Sequence, residues 1–148
     1  ADERDVIRLR TNFREPREDV ELFRLRMPNE NARKLFLSYV EKVDQLSKKP
    51  EWYNTLEENC TTGVLHRVES YGGKAKYSWM ILLSGYTAQY LYEIGGVDTS
   101  IPFAELKKIS YINPRSAAIT DLTNYSEEIR EGLPMPAPYT MQEWDAMK

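Results

Sequence analysis

The sequence predicts a helix-rich α+β fold in a single domain, and two observations carry this prediction. Residues 20–27 alternate between apolar and charged side chains, which is typical of a half-buried strand. Residues 29–49 repeat apolar side chains every three or four positions, which is typical of an amphipathic helix. Helical spacing returns in residues 59–72 and 78–94. A length of 148 residues suits one domain with a sizeable core.

The first stretch of the chain is predicted to be extended. Val6 and Leu9 belong to this stretch, and the strand proper covers Val20–Met27. Its core is a regular alternation of apolar and basic side chains, Phe23-Arg24-Leu25-Arg26-Met27. Pro28 ends it.

The next element is the strongest helix prediction. Asn29 or Asn31 would cap it, and it ends before Pro50 with lysines in its last turn. We expect its apolar stripe to pack into the core: Ala32, Leu35, Phe36, Tyr39, Val40, Val43 and Leu46.

Later elements are shorter. A helical stretch over residues 78–94 is predicted to break near Gly85, and a short helix should run from Pro102 to Lys108. Loop and short helix follow from residue 110. Residues 133–138 form a proline-rich, extended segment.

The single cysteine, Cys60, is predicted to lie at the start of a helix. Asn59 is a good N-cap, and Thr61 falls in the first turn. Unpaired backbone N–H groups and the helix dipole favour a thiolate at this place, and the thiolate is the nucleophilic form. Tyr53 and Asn54, just upstream, and Thr61 are candidates for supporting the thiol or an oxyanion.

A structural role for Cys60 stays open, because the cysteine shares the apolar stripe of Val64 and Val68. The single histidine, His66, does not supply a base. Six helical positions separate the two residues by about 9 Å along the axis and roughly 120° around it, so their side chains diverge. We expect His66 on the surface. One cysteine and one histidine also make no zinc site, and no cofactor motif is present.

The net charge of −3 gives no reason to expect a nucleic-acid partner. Arginines are frequent before residue 27, but acidic residues are interleaved with them, which indicates a salt-bridged surface. A carboxylate or anionic headgroup site is the alternative for these arginines. No apolar run reaches the roughly 20 residues of a transmembrane span.

Several segments in order resemble the Lnb-type N-terminal periplasmic domain. They are Arg10-Thr11-Asn12, Trp52-Tyr53-Asn54-Thr55-Leu56, Asn59-Cys60-Thr61-Thr62, Gly85-Tyr86, Tyr90-Leu91-Tyr92-Glu93-Ile94-Gly95, Asp98-Thr99-Ser100-Ile101-Pro102-Phe103, Tyr111-Ile112-Asn113, and the run Tyr125–Pro134. The resemblance covers nearly the whole chain.

The resemblance implies a permuted papain-like cysteine fold and a thiol-dependent acyl transfer of the lipoprotein N-acylation type. Cys60 would take an acyl chain from a phospholipid or lipoprotein donor and pass it to an amine, in the periplasm or at the outer face of the bacterial cytoplasmic membrane. The family's Gly-His segment, which precedes its Arg-Thr-Asn motif, has no match here. Residues 1–148 would therefore be the C-terminal portion of such a domain, with an incomplete sheet.

Two other functions remain open on the sequence. The first is a related envelope peptidase or amidase, in which water replaces the amine as acceptor. The second is a non-catalytic envelope binding module without the base histidine. Its binding surface would be aromatic: Trp52, Tyr53, Tyr86 and Tyr90.

Overall fold

The structure is a computed structural model, which describes residues 2–52, 63–64, 66–68, 80 and 84–146. The chain divides into two compact units. The first combines Ala1–Leu25 with Val97–Pro136, and the second combines Arg26–Gly96 with Ala137–Lys148.

In chain order the described α-helices are α1 (Glu3–Arg8), α2 (Asn29–Lys48), α3 (Thr87–Glu93), α4 (Phe103–Ser110), α5 (Asn113–Ala118), α6 (Tyr125–Glu128) and α7 (Met141–Ala146). A π-helical turn over Leu9–Phe13 follows α1, and a 3₁₀ turn over Ser84–Tyr86 precedes α3. The predicted helices at 29–49 and 102–108 are confirmed, and helix also covers the described end of 78–94.

The α+β class and the papain-like fold are wrong. The described residues are rich in helix, as expected, but they contain no β-sheet. Among the described residues, β-type pairing is limited to an isolated antiparallel bridge between Glu21 and Tyr111. Residues 22–28 are extended, yet they form no strand in the described part of the chain.

The surroundings of Tyr111 explain why the bridge does not grow into a sheet. The N–H of Leu22 donates to the carbonyl of Ser110 at 2.8 Å, and that of Ile112 donates to the carbonyl of Val20 at 3.0 Å. Ser110 ends α4, and α5 begins two residues after Tyr111. The extended run therefore pairs here with only the short link between α4 and α5. An alternating segment forms a sheet only where a second strand of similar length lies beside it.

The predicted extended start, which included Val6 and Leu9, is also wrong. Residues 3–8 form α1 because Asp2 caps it: Oδ1 of Asp2 accepts a hydrogen bond from the Arg4 N–H at 3.0 Å. Glu3 in the first turn and Arg8 in the last complement the helix dipole. Local capping therefore decides the conformation of this stretch.

The first unit has a small hydrophobic core. Ile119, Tyr125 and Ile129 form a buried cluster, against which Ile7, Leu22 and Leu122 pack. Nearby, Ile112 is fully buried. The core thus joins the N-terminal helix to residues that follow position 110.

Helix α2 has the predicted length but neither the predicted cap nor the predicted packing. Its N-cap is Pro28, which has no side-chain donor or acceptor. The apolar stripe is largely exposed rather than buried: Phe36 and Val43 are each 66 % exposed, and Asn31 is the buried residue of the helix. Periodicity predicts that a helix has an apolar face, but not what covers it.

In the second unit, the C-terminal segment is held by Arg26. The Arg26 N–H donates to the carbonyl of Gly96, and the Arg26 carbonyl accepts from the N–H of Tyr139. The guanidinium lies over the Tyr139 ring at 3.9 Å from its centroid, and Nε donates to the carbonyl of Ala137 at 3.1 Å. These contacts fix residues 137–139 beside the end of α3.

Gly95 has a conformation that other residues rarely adopt, with φ of +73°. A Cβ there would lie 3.0 Å from the Tyr139 hydroxyl, which donates to the Gly95 carbonyl. We expect Gly95→Ala to lower the free energy of unfolding by about 1–2 kcal/mol and to speed proteolysis after Tyr139. Urea unfolding and limited chymotrypsin digestion measure both effects.

Gly85→Ala is the matched control for this substitution. No heavy atom lies within 4 Å of a Cβ built at Gly85, and its φ is not positive. We expect a change of at most about 0.5 kcal/mol. Equal losses in the two variants would contradict the role given to Gly95.

Candidate functional site

The predicted thiol site lies outside the described residues. This holds for Cys60 and for the supporting candidates Tyr53, Asn54, Asn59 and Thr61. The structure describes the chain on either side. Trp52, just before the site, is 96 % exposed. Gly63, Val64 and residues 66–68, just after it, are helical.

His66 is exposed, which confirms the predicted surface position. Three of the four residues of the aromatic surface predicted for a binding module lie in the described part of the chain. Trp52 is exposed and Tyr86 is 44 % exposed, but Tyr90 is buried at 7 %. Tyr90 therefore does not contribute to an exposed aromatic patch.

The early Arg-Thr-Asn segment is built into a buried polar cluster of the first unit. Oγ1 of Thr11 lies 2.6 Å from Oδ1 of Asn12 and 2.8 Å from Oγ of Ser116. Oγ of Ser116 lies 2.7 Å from the Tyr125 hydroxyl. Thr11, Ser116 and Tyr125 are each at most 1 % exposed.

Each hydroxyl of this cluster has an acceptor within reach. An amide oxygen only accepts, so the Thr11 and Ser116 hydroxyls can each donate to Oδ1 of Asn12, and Thr11 can also donate to the carbonyl of Ile7 at 3.1 Å. Burial raises the pKa of the Tyr125 phenol, so the phenol remains a donor. The cluster satisfies its own hydrogen bonds and is a structural element, not an open reaction site.

Asn113, from another segment of the resemblance, has a similar role. Its Nδ2 donates to the carbonyl of Glu18 at 2.8 Å, and its Oδ1 accepts from the N–H of Val20 at 2.9 Å. Both bonds fix the extended run against the start of α5. Thr11, Asn113 and Tyr125, which lie in three segments of the resemblance, therefore hold parts of the first unit together.

The predicted salt-bridged arginine surface is confirmed for several residues. Arg4 pairs with Asp5, while Arg10 and Arg14 both pair with Glu18. The strongest pair was not predicted: Arg130 lies 2.5 Å from Glu3 and donates to both its carboxylate oxygens. Geometry of this kind makes an ion pair specific.

The pair of Glu3 and Arg130 makes stability depend on pH. The hydrogen bond from Arg130 lowers the pKa of Glu3 below its usual value, and Ser126 adds a second donor at 2.5 Å. Because the folded-state pKa is the lower one, the stabilisation is complete above about pH 4.5 and is lost as the pH falls through the folded-state pKa.

We expect Glu3→Gln to lose about 0.5–1 kcal/mol at pH 7, a small value because both side chains are about one-third exposed. The difference from wild type should shrink towards pH 3. Urea unfolding at both pH values measures it, with Glu131→Gln as a matched control. A difference that does not change with pH would contradict the assignment.

Sequence reasoning missed Ser116, Tyr125, Glu3 and Arg130 as contact residues. Ser116 carries no local signal, since a serine in a short helix is compatible with many surroundings. Tyr125 and Arg130 lie in a segment that the resemblance marks, but the resemblance does not name their partners. The pairs Thr11–Ser116 and Glu3–Arg130 each join residues more than 100 positions apart.

Two further observations concern the described residues only. They include no group of three or more His, Cys, Asp or Glu side chains arranged to hold a metal ion. Every described helix is too short or too polar to cross a bilayer.

Comparison with known families identifies this chain. A model of the Lnb N-terminal periplasmic domain matches residues 1–90. The chain belongs to the Lnb N-terminal periplasmic domain family. No curated protein and no solved structure gives a significant match.

The Lnb family match confirms the resemblance over residues 1–90 and a bacterial, periplasmic location in general terms. The matched residues include the Arg10-Thr11-Asn12 segment and the segment around Cys60. Ser116 and Tyr125, which complete the buried polar cluster, lie beyond them.

Proposed function

We propose that this Lnb-type chain carries the nucleophile of a periplasmic acyltransferase and that Cys60 is this nucleophile. The observation that carries the proposal is the position of the single cysteine. It lies in the segment Asn59-Cys60-Thr61-Thr62, which is predicted to begin a helix, inside the family match. Helical backbone follows from Gly63.

The chemistry rests on the start of a helix. Backbone N–H groups at a helix N-terminus, together with the dipole, stabilise a thiolate and lower the thiol pKa. Asn59 would cap the helix, and Thr61 would fix its first turn. Asn54 and Tyr53 would donate hydrogen bonds to the oxyanion that forms when the thiolate attacks.

The proposed reaction has two balanced steps. The Cys60 thiolate attacks the ester carbonyl of a phospholipid or lipoprotein donor, a thioester forms as the ester C–O bond breaks, and the alkoxide takes a proton from water and leaves as the alcohol. An α-amine then attacks the thioester, an amide forms, and the thiolate is released as the amine loses its proton. Such donors would place the reaction at the outer face of the cytoplasmic membrane.

The first test is the rate of Cys60 alkylation by iodoacetamide in the folded chain, measured from pH 5 to 10. We expect half-maximal reactivity well below the reference thiol pKa of about 8.5. The same chain in urea is the control and should return to that reference value. A thiol that reacts only in urea would show a packed cysteine and would overturn the proposal.

The second test traps the acyl group in the full-length protein. A 4-nitrophenyl octanoate ester should leave an octanoyl mass on Cys60 that hydroxylamine removes. Competition between a peptide α-amine and water then distinguishes the transferase from the peptidase or amidase alternative. Amide product indicates the transferase, whereas octanoate alone indicates a hydrolase.

A further inference from the structure

Arg24 is a half-buried arginine of the first unit, and its Nε has no acceptor. Its Nε is shielded from solvent and has no hydrogen-bond partner, and no described residue forms an ion pair with its guanidinium. A buried donor without an acceptor costs free energy, so such groups are rare and often mark a ligand or a bound ion.

Arg24 lines a groove of about 580 Å³, which we call the Arg24 groove. Arg130 and Glu3 form its other polar wall, and Leu133 and Met135 are its apolar side chains. Most of the exposed lining is apolar, and Met135 is 76 % exposed. The volume lies within the roughly 300–1,000 Å³ typical of small-molecule sites.

The charges around the groove restrict the ligand. Glu3 neutralises Arg130 through two oxygens, so Arg130 does not attract a further anion strongly. Arg24 remains the cation without a partner. Glu127 and Glu131 also line the groove and are exposed, so they repel an ion with several negative charges.

Arg8 is a second arginine whose Nε has no hydrogen-bond partner, and its surroundings differ from those of Arg24. Nε of Arg8 is also buried without a partner, but its guanidinium lies over the Phe13 ring, 5.3 Å from the centroid. The aromatic face partly compensates that charge. Arg24 has no described aromatic neighbour of this kind and has the groove instead.

We propose that the Arg24 groove binds a carboxylate attached to an apolar group. The planar guanidinium matches a carboxylate in a two-bond arrangement, and the single charge avoids strong repulsion by Glu127 and Glu131. The apolar part lies against Leu133 and Met135. The proposal does not rest on Cys60, since every residue that it uses lies in residues 3–24 or 126–135.

The test is a titration with sodium octanoate, followed by NMR, of the chain labelled with ¹⁵N and with ¹³C at the methionine methyl groups. We expect the Arg24 Nε–Hε signal and the Met135 methyl signal to shift together. Octanamide has the same chain without the charge and should bind roughly 10- to 100-fold more weakly. Equal binding of octanoate and octanamide would overturn the proposal.

Arg24→Gln should weaken octanoate binding by the same roughly 10- to 100-fold. Arg17→Gln is the matched control, because Arg17 is an exposed arginine of the same extended run. Wild-type affinity in Arg24→Gln would overturn the proposal. If Arg24→Gln fails to fold, Met135→Ser at the exposed apolar wall decides: weaker binding supports the groove, and unchanged binding overturns it.

Two sources offer this chemistry, a fatty acid and the C-terminus of a peptide with an apolar last residue. Parallel titrations with octanoate and with acetyl-leucyl-leucine separate them. Preference for one ligand assigns the source. Absence of binding by both at millimolar concentration would contradict the proposal.

Discussion

We expect replacement of Cys60 by Ala or Ser to abolish acyl transfer by the full-length protein and to leave the chain folded. A nucleophile makes and breaks the reacting bond, so we expect turnover to fall at least about a thousandfold. Serine keeps the size of the side chain, but its hydroxyl is almost wholly protonated at neutral pH. The measurement is amide product formed from 4-nitrophenyl octanoate and a peptide α-amine.

His66→Gln is the control for this experiment. His66 is exposed and six positions beyond Cys60, and on the helix predicted over residues 59–72 this spacing turns its side chain away from the thiol. We expect turnover within about twofold of wild type. A Cys60→Ala protein that retains activity would remove the thiol mechanism, and a large loss in His66→Gln would require a different geometry around the thiol.

Replacing Tyr125 by Ala gives the largest expected loss of stability, about 3–5 kcal/mol. The ring is 1 % exposed within the core cluster of Ile119 and Ile129, and its hydroxyl begins the buried chain of hydrogen bonds. Tyr125→Phe keeps the ring and removes one hydrogen bond to Ser116, so we expect about 1–2 kcal/mol. Urea unfolding at pH 7 measures both.

Phe13→Ala is the aromatic control, because its ring is 66 % exposed in the same unit. We expect a loss below about 1 kcal/mol. Adding Ser116→Ala to Tyr125→Phe should cost less than the sum of the two single losses, since both remove the same hydrogen bond. Full additivity would show that the two hydroxyls are not coupled.

The sequence predicted best where the deciding interactions are local. The 20 residues of α2 and its end before Pro50 follow from apolar spacing and a proline. At the chain start the sequence predicts extended backbone, whereas the Asp2 cap favours a helix. The pattern at Val20–Met27 predicts extended backbone, which residues 22–27 have, but the sheet that it also predicts is wrong.

Contacts between distant segments could not be predicted. Nothing near Thr11 indicates that its partner is Ser116, and nothing near Arg24 indicates that Leu133 and Met135 lie beside it. The exposure of Phe36 and Val43 could not be predicted for the same reason. Whether an apolar helix face is buried depends on residues elsewhere, which the local sequence does not indicate. The thiol prediction at Cys60 is local in origin and remains a prediction.

The hydrogen bond between Thr11 and Ser116, which joins residues 105 positions apart, has a consequence for biogenesis. The first unit needs residues from Val97 onwards before its N-terminal helix has anything to pack on. During synthesis and export, residues 3–25 therefore wait while about seventy more residues emerge. Until then, residues 3–25 are accessible to chaperones and proteases. They become buried when the first unit folds.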